Sequence, residues 1–176
     1  MLDEKRIKEA QANVKSYLSE GLMRKVPVID QITMDVLVKN SRESLQVAKI
    51  LFNNSHSDMW TIVCSYYSMF YMANAVLYKN GYKIGEKISH KITADSLIVY
   101  IRDKLKKTFL SDYEEALDEA LDLASVRSDE IITSFNEERV KRGRIQYNTS
   151  EQAKRSKAQT SLERAEKFVF EMEKLL

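Results

Sequence analysis

The most strongly basic stretch of the chain, residues 139–157, has the residue types best suited to chemistry. Within those bounds only Glu151 opposes its basic side chains, which are Arg139, Lys141, Arg142, Arg144, Lys154, Arg155 and Lys157. Guanidinium groups bind phosphate oxygens through paired hydrogen bonds, so the stretch suits a phosphate-bearing ligand. A solvated basic face, or cations that stabilise a helix C-terminus, would give the same composition.

Helical spacing favours a binding role for the first part of that stretch, residues 139–147, called here the basic turn. Arg139 and Arg142 follow the apolar residue Phe135 by four and seven positions, so both continue a predicted inner stripe. A charged side chain on such a stripe needs a cleft, a partner subunit or a ligand. We therefore predict that Arg139, Arg142 and Arg144 bind phosphate.

The histidines and the cysteine do not indicate a metal site. His56 and His90 are far apart in the sequence and lie in or near predicted loops, and Cys64 is the only cysteine. Cys64 lies in an apolar helical stretch, where a thiol usually packs as a small apolar side chain. The sequence also lacks a glycine-rich phosphate loop, a nucleophile elbow and a metal-binding carboxylate cluster. It predicts neither a metal nor another cofactor.

Four aromatic residues of one predicted helix could form a stacking surface for nucleobases. They are Tyr66, Tyr67, Phe70 and Tyr71. Their helix, predicted over residues 58–79, is apolar over much of its circumference. Such a helix belongs at the centre of a bundle or against a partner, so contact with the core or with a second subunit is favoured over stacking on bases.

Six helices are predicted to position these residues. Helix-favouring residues fill the chain, while one Pro and four Gly interrupt it. The predicted helices cover residues 3–19, 30 or 33 to 53, 58–79, 89–108, 111 or 112 to about 142, and a final segment that starts at 149–152. Acidic residues at the start of the fifth helix match its macrodipole. The fold class is all-α: an antiparallel up-and-down bundle of four to five core helices plus an N-terminal helix.

Composition limits the remaining possibilities. The chain has 176 residues, enough for one domain, divided here into an N-terminal helix and connector at 1–30 and a bundle at 31–176. The first helix, set apart by Pro27, could be an appendage. A net charge of +2 does not by itself indicate a nucleic-acid binder. No apolar run approaches the length of a membrane span, and the charged N-terminus does not resemble an export signal, so a cytoplasmic protein is expected.

Two segments of the chain resemble the HEPN domain family. The first is CSYYSMFYMANAVLYKNG at 64–81, followed by His90 at the start of a predicted helix, which is similar to the central hairpin of HEPN domains. The second is RGRIQYNTSEQAKRSKAQTSLERAEKF at 142–168, which resembles the closing element of the family: an Arg, a Tyr or His a few residues later, and a helix rich in Ala and Glu. The resemblance covers about residues 33–175, most of the chain.

The resemblance implies a bundle that often dimerises and, frequently, a metal-independent ribonuclease whose motif is Arg, four to six residues, then His. It also implies a small nucleotidyltransferase partner with which many members form a toxin–antitoxin pair. Carried over, Arg142 takes the motif Arg and Tyr147 takes the His position as the catalytic residues. Arg139, Arg144 and His90 are predicted beside them to bind nucleotide or phosphate. The sequence departs from the motif because Gly143 follows the Arg and no His lies after His90.

The missing His matters for catalysis. Cleavage of RNA without metal needs a proton acceptor, a proton donor and cations that stabilise the charged phosphorane. A free Tyr has a pKa of about 10 against about 6.5 for His, so at neutral pH only about a thousandth of it is ionised. Three hypotheses remain: a nucleotide- or RNA-binding protein, an endoribonuclease in which Tyr147 or His90 transfers protons, and a protein-interaction module.

Overall fold

The computed structural model describes residues 3–137 and 151–176. Within these residues the chain forms six α-helices, one 3₁₀ turn and a two-stranded ribbon. In chain order the elements are α1 (Glu4–Ser19), β1 (Met23–Lys25), α2 (Gln31–Asn53), α3 (Asp58–Lys79), β2 (Tyr82–Ile84), α4 (Ser89–Tyr100), the 3₁₀ turn (Arg102–Lys104), α5 (Lys107–Glu137) and α6 (Glu151–Glu173). The all-α prediction is confirmed.

Short polar side chains begin the first three helices. A carboxylate oxygen of Asp3 accepts a hydrogen bond from the backbone N–H of Arg6, and Asp30 does the same for Thr33. The hydroxyl of Ser57 accepts from the N–H of Trp60. Each bond satisfies a backbone donor that has no partner within its helix.

The helices α2, α3, α5 and α6 form an up-and-down bundle. The α2 helix packs antiparallel to α3, and the Ser41 hydroxyl donates to the Ser68 carbonyl at 2.7 Å. Two contacts show that α5 and α6 are antiparallel. Phe168 of α6 packs on Tyr113 of α5, whereas Arg164, which precedes Phe168, reaches Glu119, which follows Tyr113. The core between these helices is apolar, and its largest fully buried side chains include Tyr66, Tyr113, Phe168, Met69, Met72 and Leu77.

The ribbon was not predicted. The segment after residue 23 was expected to be a connector and residues 81–89 a loop, but β1 and β2 pair antiparallel, with Met23 opposite Ile84 and Lys25 opposite Tyr82. Strands of three residues are too short for a readable alternation of polar and apolar side chains. The pairing also joins segments that lie far apart in the sequence, which a local pattern does not reveal.

The boundary between the fourth and fifth helices was wrong in the sequence analysis. The fourth helix ends at Tyr100 instead of near Thr108, a 3₁₀ turn follows, and α5 begins at Lys107 instead of Ser111 or Asp112. Ile101 and Leu105 are apolar and pack against the core, so the helical pattern continues through a break that contains neither Gly nor Pro. The pattern of buried positions alone therefore concealed the interruption.

The acidic residues of α5 are consequently not at its first turn, where the macrodipole interpretation placed them. Asp112 lies in the second turn, and Arg164 of α6 reaches across to Asp112, Glu115 and Glu119 with its nearest contact, to Glu115, at 2.7 Å. Interhelical pairing with Arg164 therefore accounts for much of the acidic clustering.

The first helix packs against the body instead of standing apart. Ala10, Val14 and Tyr17 are buried, and Val14 and Tyr17 form a small second core with Met23 and Ile92. The described helices include none that is long and apolar enough to cross a membrane.

Candidate functional site

Of the five predicted site residues, His90 is the one whose surroundings the structure describes. Arg139, Arg142, Arg144 and Tyr147 lie outside the described residues, so their predicted roles stay predictions. The site is therefore built from His90 and from the described part of the basic stretch.

His90 lies in the first turn of α4, where it packs on a row of aromatic rings from α3. Its ring centroid is 4.5 Å from that of Phe70, 5.5 Å from that of Tyr66 and 5.9 Å from that of Tyr67. We call these four side chains the His90 cluster. Ile88, which precedes the first residue of α4, has a φ of 45°, a left-handed conformation that is strained for a β-branched residue.

One hydrogen bond determines the chemistry of the His90 ring. The Tyr66 hydroxyl lies 2.7 Å from Nδ1 of His90, and Tyr66 is almost fully buried. Burial raises the pKa of Tyr66 and lowers the pKa of His90, so near neutral pH the phenol keeps its proton and the imidazole is neutral. We assign the phenol hydroxyl, the stronger donor, as the donor to Nδ1, which places the imidazole proton on Nε2. In this tautomer His90 offers a neutral N–H donor and not a cation.

The four aromatic residues considered as a stacking surface divide between core and surface. Tyr66 is a core residue, as the favoured interpretation predicted. Tyr67 is 37% exposed, while Phe70 and Tyr71 are half-buried, so part of the row remains accessible beside His90. Trp60, two turns earlier on α3, is 54% exposed.

At the far end of the basic stretch, one arginine has a structural role. Nη1 of Arg155 lies 3.1 Å from a carboxylate oxygen of Asp58, and Nη2 donates to the carbonyl of Phe52 at 2.7 Å. The guanidinium also lies over the Phe52 ring, 3.6 Å from its centroid. These contacts attach the start of α6 to the corner between α2 and α3. Lys154 and Lys157 are exposed and could still contact a ligand.

Cys64 is half-buried on α3, and burial raises the pKa of its thiol. It is therefore protonated near neutral pH and not poised as a nucleophile. In the part of the chain that the structure describes, no three His, Cys, Asp or Glu side chains are placed to hold a metal ion.

Sequence reasoning identified His90 but missed its hydrogen bond to Tyr66. The two residues are 24 positions apart, and no local spacing rule connects them. The available signal was the resemblance, in which the segment at 64–81 that contains the aromatic pair is followed by His90.

The half-buried imidazole of His90 predicts a pH dependence of stability. The unfolded chain binds a proton on His near its ordinary pKa of about 6.5, whereas folded His90 binds one only at lower pH. Acidification through 6.5 therefore favours the unfolded chain, and this loss of stability stops below the folded pKa. We expect His90→Gln to show a shallower fall in the free energy of unfolding between pH 7 and 5, measured by urea titration. His56→Gln, which replaces the exposed histidine, should retain the slope of the original protein.

Comparison with protein-family models identifies the family of this chain. The model described as the HEPN domain matches residues 34–175, from the first turn of α2 to the end of the bundle. The chain belongs to the HEPN domain family. A search of the curated proteins finds no match to this chain.

The match to the HEPN domain covers the His90 cluster and the whole basic turn but not α1 or β1. HEPN domains are generally related to nucleotides and RNA.

Proposed function

We propose that this HEPN protein binds the phosphates of a nucleotide or RNA through Arg139, Arg142 and Arg144, assisted by Tyr147 and His90. The observation that carries the proposal is the HEPN match over residues 34–175, which includes the most strongly basic stretch of the chain. Guanidinium groups are always charged and bind phosphate oxygens in a fork geometry. Three of them within six residues supply a dense phosphate-binding surface.

The hydrogen bond between Tyr66 and His90 favours binding over catalysis. A general base needs a free lone pair, but in the assigned tautomer Nδ1 of His90 accepts a hydrogen bond from the Tyr66 hydroxyl and Nε2 carries the ring proton. His90 can therefore donate a hydrogen bond to a ligand more readily than it can remove a proton from a ribose hydroxyl. This argument weakens the second candidate, a metal-independent endoribonuclease that uses Arg142 and Tyr147, without removing Tyr147 as a proton donor.

We further propose a homodimer and, as partner, a small nucleotidyltransferase of a toxin–antitoxin or related system. Several large apolar side chains are exposed on α2 and α3, and their exposure supports a protein partner. They are Ile32, Val36, Val47, Ile50, Trp60 and Tyr67. Exposed apolar groups of this kind are typical of interaction surfaces when they are contiguous. The kind of partner itself comes from the family resemblance. A partner that docks without RNA would correspond to the third candidate, an interaction module.

The test measures RNA binding at two salt concentrations and RNA cleavage in EDTA. Arg142→Ala is expected to weaken binding about tenfold and to reduce the slope of log affinity against log salt by about 0.7, because one phosphate contact is lost. Its melting temperature should be nearly unchanged. Lys157→Ala removes an exposed positive charge from α6 and is the matched control, with a smaller loss expected.

Three results would change the conclusion. Equal loss in Arg142→Ala and Lys157→Ala would mean that the basic turn has no special role. Cleavage in EDTA that disappears in Arg142→Ala and Tyr147→Phe would establish the ribonuclease instead. Strong destabilisation by Arg142→Ala would show that the arginine has a structural role.

A further inference from the structure

The side of α2 that faces away from the core carries an unusual set of exposed side chains. Its core side holds the buried residues Met34, Ser41 and Ala48. A helix advances by about 100° per residue, so the positions half a turn away from these form one stripe along the helix. We call that stripe the α2 ridge, and its six exposed residues are Ile32, Val36, Lys39, Glu43, Val47 and Ile50. Because the outer face of a surface helix is normally polar, four large apolar side chains there indicate a surface that a partner covers.

The α2 ridge is nearly symmetric about its middle. Each of its residues has a counterpart on the other side of position 41: the two isoleucines lie nine positions from it, the valines five and six, and the charged residues two. The charged counterparts, Lys39 and Glu43, have opposite signs. When two copies of such a ridge lie antiparallel, apolar ends meet apolar ends and each Lys39 faces Glu43 of the other copy. The ridge is therefore complementary to itself in both polarity and charge.

Charged side chains on the flank of the ridge pair with α6. Nε of Arg42 lies 2.9 Å from a glutamate oxygen of α6, and Nζ of Lys49 lies 2.8 Å from another. Lys39 and Glu43 instead pair with each other across one turn of α2, where Nζ and the carboxylate oxygen are 3.7 Å apart and both side chains are more than half exposed. An exposed ion pair of this kind contributes little to stability, so both charges can turn to a second copy at small cost.

We propose that the α2 ridge forms the homodimer interface, with α2 of one copy packed antiparallel on α2 of the other. The inference rests on the proposed homodimer and assigns the surface that makes it. The contact extends along about 27 Å of helix, the length of residues 32–50 at about 1.5 Å per residue. The apolar ends of each ridge lose contact with water, and two ion pairs between Lys39 and Glu43 of different copies form at the centre. A parallel arrangement would place like charges opposite each other, so the charges select the antiparallel one.

Sedimentation equilibrium of the full chain over a range of concentrations measures the dissociation constant of the dimer. Lys39→Glu is expected to raise that constant by about tenfold or more, because two ion pairs become two contacts between like charges, and Glu43→Lys should do the same. The matched control is Lys15→Glu, which makes the same change of charge at an exposed position of α1 and should leave the constant unchanged. Circular dichroism checks that each variant keeps its helices.

Mixing the two single variants provides the sharper test. In a heterodimer of Lys39→Glu with Glu43→Lys, each pair of facing charges again has opposite signs, so the mixture should dimerise about as tightly as the original protein. The double variant Lys39→Glu/Glu43→Lys should also dimerise on its own. A mixture of Glu43→Lys with Lys15→Glu has the same total charge but keeps one contact between like charges, so it should associate less tightly. A change in monomer stability would not produce rescue that is confined to matched charges.

The outcomes separate this interface from the proposed homodimer. A dimer whose dissociation constant is the same in the original protein, Lys39→Glu and Glu43→Lys forms through another surface, which overturns the inference and leaves the homodimer in place. A protein that sediments as a monomer at every concentration overturns both. Weakening by the single variants without rescue in their mixture overturns the antiparallel pairing of Lys39 with Glu43. Phosphate binding at the basic turn is tested separately by Arg142→Ala and does not depend on these results.

Discussion

Phe168→Ala is expected to lower the free energy of unfolding by about 3–5 kcal/mol, the range observed when a buried Phe is truncated in a packed core. Phe168 of α6 is fully buried, and its ring centroid lies 5.5 Å from that of Tyr113 on α5. The substitution would remove most of the aromatic contact between these two helices. Urea unfolding followed by circular dichroism at 222 nm, a helix signal, measures the loss directly.

A matched control lies two positions along the same helix. Phe170 is 61% exposed, so Phe170→Ala should change the free energy of unfolding by only about 0.5 kcal/mol. The two variants make the same chemical change and differ only in the face of α6 that they affect. Similar losses in both would contradict the described orientation of α6, and a loss near zero for Phe168→Ala would contradict its burial. Because domains are stable by only about 5–15 kcal/mol, the expected loss should be easy to detect.

The sequence predicted those elements whose ends carry local signals. The helix predicted over residues 58–79 has those bounds in the structure, between Ser57 and the Asn80–Gly81 pair, and Asp30 begins α2 by accepting from the Thr33 N–H. Gly81 has a φ of 86°, a conformation that favours glycine and explains why the helix stops there. In each case the residue that ends or begins the helix acts on backbone groups within a few positions, so the information is local.

The errors fall where the decisive contacts are not local. The break between α4 and α5 depends on how Ile101 and Leu105 pack into the core, and both residues also fit a continuous helix. The ribbon depends on pairing between Met23 and Ile84, which are far apart in the sequence. Apolar spacing shows which residues are buried, but it does not show whether the backbone between them is interrupted.

The candidate site divides in the same way. The types of residue in the basic turn indicate phosphate binding without any knowledge of the fold, and the resemblance picks out Arg142 and His90. The state of His90 could not be predicted, because it depends on a hydroxyl from another helix and on burial between α3 and α4. The sequence thus identified which side chains to consider, whereas the packing determined that His90 is a neutral donor.

The α1 helix, which lies outside the HEPN match, contacts α4, the helix that carries His90. Asp95 of α4 is fully buried, and its carboxylate is bound by three side chains of α1. Nη1 of Arg6 lies 2.7 Å from one oxygen, while the Tyr17 hydroxyl and the Asn13 amide donate to the other at 2.8 and 3.0 Å. The α1 helix therefore holds α4, the helix that carries His90, by neutralising a charge that the interior would otherwise disfavour.

This arrangement predicts that Arg6→Ala lowers the free energy of unfolding by about 3 kcal/mol, the lower end of the range for removing one partner of a buried ion pair. The lower end applies because the Arg6 side chain is 26% exposed while Asp95 is fully buried. Lys5→Ala, one residue earlier, removes the same charge from an exposed position and should change stability by about 0.5 kcal/mol or less. Urea titration of both variants provides the comparison.

A double variant identifies the cause of that loss. If the effect of Arg6→Ala comes from leaving the Asp95 charge without its cation, then Arg6→Ala combined with Asp95→Asn should be less destabilised than the sum of the two single variants. Additive losses would show instead that Arg6 stabilises the fold through packing or through its 2.9 Å contact with Glu114. In the first case α1 is an electrostatic anchor for α4, and variants that release it should disturb the His90 cluster before they disturb the contact between α5 and α6.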